Sequence, residues 1–267
     1  MGADVRRYAT LLLVQLRAAV LLQLQYRLDF FIEIALALFW IGAALAPLYV
    51  LFSMRDAVNG WNAYEMLVVV GFFSMHKGVL ASIIQPSLNQ AVEHIRKGTL
   101  DFLLLKPADA QFMLSTSKLE LAHLTDVLAG ILMIAWALSR LPLLRPTPLD
   151  LLFAGVLFVC GFLVLYALWI MVISLAFRVV KVDNLSYLFV SLFEAARWPA
   201  SVFRGALSLF FTFVIPLALM TTYPALAVLG RANWTNLAIA VGVASALVLL
   251  SRYVWQRSIR SYTGASS

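Results

Sequence analysis

Charged side chains inside long apolar runs are the first residues here with the means to do chemistry. An ionised group at the centre of a bilayer costs about 2.5–3.5 kcal/mol on insertion scales, so it is kept only with a partner or a task. Four qualify: Glu33, Lys77 beside His76, Glu194 and Arg197. Glu33, Lys77 and Glu194 suit a proton or ion relay; the competing reading is structural pairing or snorkelling. Glu194 and Arg197 are spaced i, i+3 and neutralise each other on a helix. Glu33 and Lys77 pair if the first two apolar runs are neighbours. Nothing that makes or breaks bonds accompanies these charges. Gly71 to Lys77 lacks the second glycine and the hydroxyl of a phosphate-binding loop, so ATP hydrolysis in this chain is excluded. His76, His94 and His123 are far apart, with no HExxH spacing and no cysteine partner. The single cysteine, Cys160, lies in an apolar run and rules out a disulfide framework. No catalytic residue, metal or cofactor is expected in this chain.

The elements that must hold these charges are membrane spans. Of 267 residues, 63% are hydrophobic and 12% charged, against about 25% charged in a soluble domain. Too little charge remains to cover a water-facing surface of this size. A crossing helix needs about 20 mostly apolar residues. Runs at roughly 30–52, 63–85, 112–138, 149–177, 185–202 and 236–256 meet or nearly meet that need. A seventh run, 206–229, is interrupted by Pro216 and Pro224.

Positive charge sets orientation. Basic residues concentrate in the N-terminal arm (Arg6, Arg7, Arg17, Arg27), after the second run (Arg96, Lys97, Lys106, Lys118), around Arg178 and Lys181, and in the tail (Arg252, Arg257, Arg260). That bias puts both termini in the cytoplasm and demands an even number of crossings. The consistent solution is six spans, with 206–229 a re-entrant pair of short helices turned at Pro216 and Pro224. The alternative lays 185–202 along the inner surface and makes 206–229 a kinked span. The basic arm reads as an interfacial helix over residues 1–28, not as a signal peptide, because Gln15, Arg17 and Gln23 break its apolar stretch.

The longest polar connection, Pro86–Lys118, is the most informative stretch. Leu88, Val92 and Ile95 recur at helical spacing with Glu93, Arg96 and Lys97 on other faces. Gly98 falls where a helix end wants a left-handed residue. An apolar patch, Phe102 to Leu105, follows before Lys106-Pro107. Such an element is a docking surface, or a solvated loop whose leucines return to the headgroups; the residues alone leave both open.

The string Ile95-Arg96-Lys97-Gly98-Thr99-Leu100-Asp101-Phe102-Leu103-Leu104-Leu105-Lys106-Pro107 resembles the signature of ABC-2 type permeases. These are membrane subunits of bacterial ATP-binding-cassette exporters whose ATPase is a separate chain. Tyr26–Phe31, Trp61–Glu65, Arg197-Trp198-Pro199, Phe213–Ala218 and Tyr223-Pro224-Ala225 extend the likeness over most of the sequence, closest to a branch with two different permeases beside one ATPase. The resemblance implies a single all-α transmembrane domain over 1–267, with a coupling loop at 86–111 and a re-entrant segment at 203–230. It implies that Glu93, Arg96, Lys97, Gly98, Asp101 and Phe102 engage the ATPase. Two ATPase subunits holding ATP and magnesium, a second permease and membrane lipid are the implied partners, without nucleic acid, in the inner membrane. The rival is an ion- or proton-coupled transporter or channel using the intramembrane charges.

Overall fold

The computed structural model describes residues 2–25, 27–141, 145–177, 183–213 and 215–260. Tyr26, Arg178, Lys181 and Val214, each used in the sequence reading, lie outside them. The described residues are all-α apart from one tight hairpin. Helix α1 (Gly2–Gln25) leads into α2 (Arg27–Met54). The hairpin β1 (Ala57–Val58) and β2 (Trp61–Asn62) turns on Asn59 and Gly60, both at positive φ (49° and 82°), the Asn-Gly pairing of a type I′ turn. Helix α3 (Ala63–Arg96) follows, then α4 (Asp101–Leu104), α5 (Ala110–Ser115), α6 (Leu121–Ser139) and α7 (Pro148–Phe177). The last third contains α8 (Asp183–Phe193), α9 (Ala206–Phe213), α10 (Ala218–Val228) and α11 (Trp234–Arg260).

Among the described residues five helices are long and apolar enough to cross a membrane: α2 from Phe31, α3, α6, α7 and α11. The third span therefore starts at Leu121 and not at 112, because Asp109 caps the separate helix α5 and the chain breaks before Leu121. The expected fifth span is also shorter than 185–202. Helix α8 has 11 residues and tightens into a 3₁₀ turn at Glu194–Arg197. At 1.5 Å per residue it covers about 16 Å, roughly half the hydrocarbon core. The stretch 206–229 does divide into two short helices, α9 and α10, but only Pro216 stands at the break. Pro224 sits inside α10.

Pro86 in α3 and Pro224 in α10 are met in the same way. A π-turn at Leu80–Ile84 ends two residues before Pro86, and another at Ala218–Thr222 ends two residues before Pro224. Proline has no N–H to give the carbonyl four residues back, and the widened turn absorbs the mismatch. At Pro86 the abandoned Ser82 carbonyl accepts from the Glu120 amide at 2.8 Å, which ties the start of the third span to α3. The residues expected to form a separate loop helix, Leu88 to Ile95, are instead the last turns of α3 itself.

Helix α3 is the axis of the molecule. Every residue from Glu65 to Ser74 is buried. It lies against α6 through glycines: a Cβ on Gly71 would stand 2.6 Å from Ile134 Cγ1 and 2.9 Å from the Gly130 carbonyl, and one on Gly78 would stand 2.9 Å from the His123 carbonyl. Small residues let helices approach closely where lipid supplies no hydrophobic drive between them. Against α7, fully buried His76 holds its ring nitrogens 3.0 Å from the Phe72 carbonyl and 3.2 Å from the Phe158 carbonyl. Gly161 makes room for that ring, its missing Cβ falling 2.7 Å from His76 Nε2. Helices α7 and α11 close the bundle over Ala240, Ala244, Ser251 and Trp255, all buried. Helix α2 is peripheral: its apolar side chains, including Phe39, Trp40 and Tyr49, are exposed, and Gly42 meets nothing within 4 Å.

Candidate functional site

The end of α3 is built to present a loop. Lys97 closes the helix and Gly98 takes φ 69°. The Thr99 amide returns to the His94 carbonyl at 3.0 Å and the Gly98 amide to Ile95 at 3.3 Å, the paired bonds of a Schellman stop. His94 Nδ1 fixes the turn from the side, 2.8 Å from Thr99 Oγ1. Leu88, Ala91, Val92, Ile95 and Leu100 are buried toward the body of the protein. The opposite face carries Glu93, whose carboxylate is 2.6 Å from Arg96 and 3.0 Å from Lys97.

Helix α4 is the outermost feature. Leu103 packs inward and Asp101 is half-buried, whereas Phe102 is 71% and Leu105 82% exposed. Six of the residues singled out in the sequence, Glu93, Arg96, Lys97, Gly98, Asp101 and Phe102, thus lie within ten residues of chain, on the end of α3, the turn after it and the start of α4. The result is an apolar knob ringed by Arg96, Lys97 and Lys106. It has no reacting group and suits protein contact.

What holds the knob in place escaped the sequence reading. Behind it, Asp109 caps α5 by accepting from the Phe112 amide at 3.0 Å. Its carboxylate also takes Arg252 of α11, with Nη1 at 3.1 Å. Arg252 donates to Gln111 Oε1 at 2.7 Å, Gln111 donates to the Tyr166 hydroxyl at 3.0 Å, and Ser115 lies 2.8 Å from that hydroxyl. Tyr8 of α1 accepts from the Asp109 amide at 3.1 Å and packs edge-on against Phe112, while Arg7 donates to the Pro107 carbonyl. On the near side Ser87 donates to the Lys118 carbonyl at 2.6 Å. The returning strand of the loop is therefore clamped by α1, α3, α7 and α11. Only the Asp109 cap left a local signal, an aspartate three residues before Phe112 and just ahead of an apolar run.

The intramembrane charges form a different set of pairs from those expected. Glu194 and Arg197 do pair on one face. Lys77, however, lies 4.0 Å from Glu194 and not with Glu33. Glu194 thus stands between two cations, and the Arg197 guanidinium rests 5.7 Å above the Phe73 ring. Asp126 of α6 is buried. Glu33 instead borders a cavity beside α1. A further pair was unforeseen: Glu65, 4% exposed, completes a capping box with Asn62 at the head of α3 and takes Arg231 at 2.5 Å.

At the hairpin end, Trp61 Nε1 donates to Ser201 Oγ at 3.2 Å. Thr221 and Thr222, in the π-turn of α10, bond to the Ala196 carbonyl at 2.9 Å and the Ala200 amide at 3.1 Å. The polar turns of 194–202 and the π-turn before Pro224 are thereby one packed unit.

No curated protein and no solved structure matches the chain. A family model described as ABC-2 family transporter protein matches residues 38–266, which run from within α2 through α11 and include the whole presented loop. With its five apolar spans and that match, the chain belongs to the ABC-2 transporter family and is a multi-pass membrane permease of an ABC transporter.

Proposed function

We propose that this permease is the passive half of an exporter, moved by separate ATPase subunits that bind the 86–111 loop and hold the ATP and magnesium. The observation that carries this reading is the exposed knob of Phe102 and Leu105 on a mount braced from four helices. A surface meant only to return to the headgroups needs no such bracing. A push on a stiff mount moves the spans attached to it, which is a rigid-body form of alternating access. A second permease, identical or related, completes the translocation path.

Six crossings with both termini in the cytoplasm fit this arrangement. The fifth is assembled from short pieces, α8 with the turns through 202, while α9 and α10 form the broken hairpin before α11, the sixth. Irregular backbone at that depth is tolerable because protein covers it, as the bonds from Thr221 and Thr222 to the 194–202 turns illustrate. The ion-relay reading has less support, since Glu194 is held in ion pairs by both Lys77 and Arg197.

Gentle detergent extraction of the full-length chain, followed by mass spectrometry of what co-purifies, tests the proposal. An ATPase and a second permease are expected with the natural sequence. Phe102→Asp, Glu93→Lys and Asp101→Lys should each lose the ATPase at least tenfold while keeping normal membrane levels. Retention of the ATPase by all three, or its absence from the natural complex, overturns the docking role.

A further inference from the structure

Among the described residues the intramembrane carboxylates Glu33 and Asp126 have no ion pair; Asp126 is buried, whereas Glu33 borders a cavity of about 360 Å³ between α1, the foot of α2 and residues 117–120. That volume is at the small end of ligand pockets and fits a headgroup better than a whole amphiphile. The polar wall also carries Gln23 and Ser117. Lys118 is held by Glu120 at 2.7 Å, so those two charges cancel, and Glu33 remains in surplus. Gln15 Oε1, also on the wall, is buried without any hydrogen-bond partner. A buried acceptor left empty costs about 1–3 kcal/mol, so a donor at this site is favoured twice, by charge and by the missing bond. The remaining wall is apolar: Ala18, Ala19, Leu22 and Leu119. Leu22 is 59% exposed, and Ile32 and Leu36, on either side of Glu33, are 56% and 52% exposed, which lays a hydrocarbon surface beside the mouth.

We infer that this cavity binds the primary-ammonium headgroup of a membrane phospholipid, with the ammonium between Glu33 and Gln15 and the acyl chains along Leu22, Ile32 and Leu36. The two free N–H positions of Lys118, which has three donors and one partner, face the phosphate. A quaternary ammonium has no N–H to give Gln15, and a glycerol headgroup has no positive charge to give Glu33. The lipid fastens α1 to the base of the first span, next to the strand that carries the presented loop. This depends on the chain lying in a membrane and not on any ATPase, so its failure would leave the proposed function standing.

The test uses the purified full-length protein in nanodiscs holding equal fractions of phosphatidylethanolamine, phosphatidylcholine and phosphatidylglycerol, with retained lipid counted by native mass spectrometry. Phosphatidylethanolamine should be enriched about tenfold over phosphatidylcholine. Glu33→Gln and Gln15→Leu should each remove most of that preference, and Glu33→Asp should keep part of it. Equal retention of the three lipids, a preference for phosphatidylglycerol, or a preference unchanged in both Glu33→Gln and Gln15→Leu overturns the site. Soluble phosphoethanolamine should fail to compete at millimolar concentration; if it displaces the lipid, the ligand is a free amine and the bilayer source is wrong. The comparison among lipids on the natural protein stands even if a variant fails to fold.

Discussion

At Asp109 one carboxylate answers to two elements at once: it caps α5 through the Phe112 amide and holds Arg252 of α11. Partial burial works against its charge, but the hydrogen bonds from Arg252 and from the Phe112 amide, with the Arg252 charge, outweigh it and lower its pKa. A depressed carboxylate pKa stabilises the fold above the ordinary aspartate value, about 3.9, and that contribution disappears as pH falls through the lowered folded value. Asp109→Asn should therefore cost about 1 kcal/mol at neutral pH, a figure held down by partial exposure, and should remove this part of the acid dependence of thermal unfolding in detergent. The charge swap Asp109→Arg with Arg252→Asp should recover only part of the loss. An arginine restores the ion pair but has no acceptor for the Phe112 amide. Full recovery would mean that the cap contributes nothing.

Elements here are held together by what side chains leave out. Gly71 and Gly130 put α3 and α6 in backbone contact, and an added Cβ at Gly71 meets Ile134 and a carbonyl at 2.6 and 2.9 Å. Gly71→Leu should cost at least about 1–3 kcal/mol by forcing the helices apart, read as a lower melting temperature and loss of monodispersity. Gly42 is the control. It faces open space, so Gly42→Ala should be neutral or stabilise by a few tenths of a kcal/mol through helix propensity. Equal damage from both substitutions would refute the close-contact account. The prolines follow a second rule at this scale. Pro86 and Pro224 are each preceded by a π-turn, and at Pro86 the released carbonyl becomes a tie to the next span.

For the whole molecule the open matter is which end faces which compartment. Cys160 is 6% exposed and set among helices, so an impermeant maleimide sees only a thiol introduced elsewhere. Asn59→Cys, on the hairpin, should label in intact cells, and Phe102→Cys, on the knob, only after permeabilisation. The opposite pattern would invert the orientation. The same bundle explains why the apolar faces differ in fate. Helix α3 is enclosed, whereas α2 turns Phe39, Trp40 and Tyr49 outward, and in lipid both are acceptable because the solvent is itself apolar.

Local physics made much of this legible without coordinates. Twenty apolar residues in a row leave a backbone no choice but a helix in lipid, so four of the spans were plain in the sequence, and Gly98 marked the end of α3 because a left-handed stop suits glycine. Glu194 and Arg197 paired as their spacing required. Contacts between distant segments were another matter. Nothing near Lys77 in the chain tells it to choose Glu194 over Glu33, or Asp109 to find Arg252, since both choices depend on how helices are arranged side by side. The helical spacing of Leu88, Val92 and Ile95 predicts a short helix in the polar connection; the π-turn and the amide of Glu120 carry α3 past Pro86 and make those residues its last turns. Periodicity reports which residues want to leave water, but in a membrane nearly every residue does, and so the partner of each polar group was decided by the tertiary structure alone.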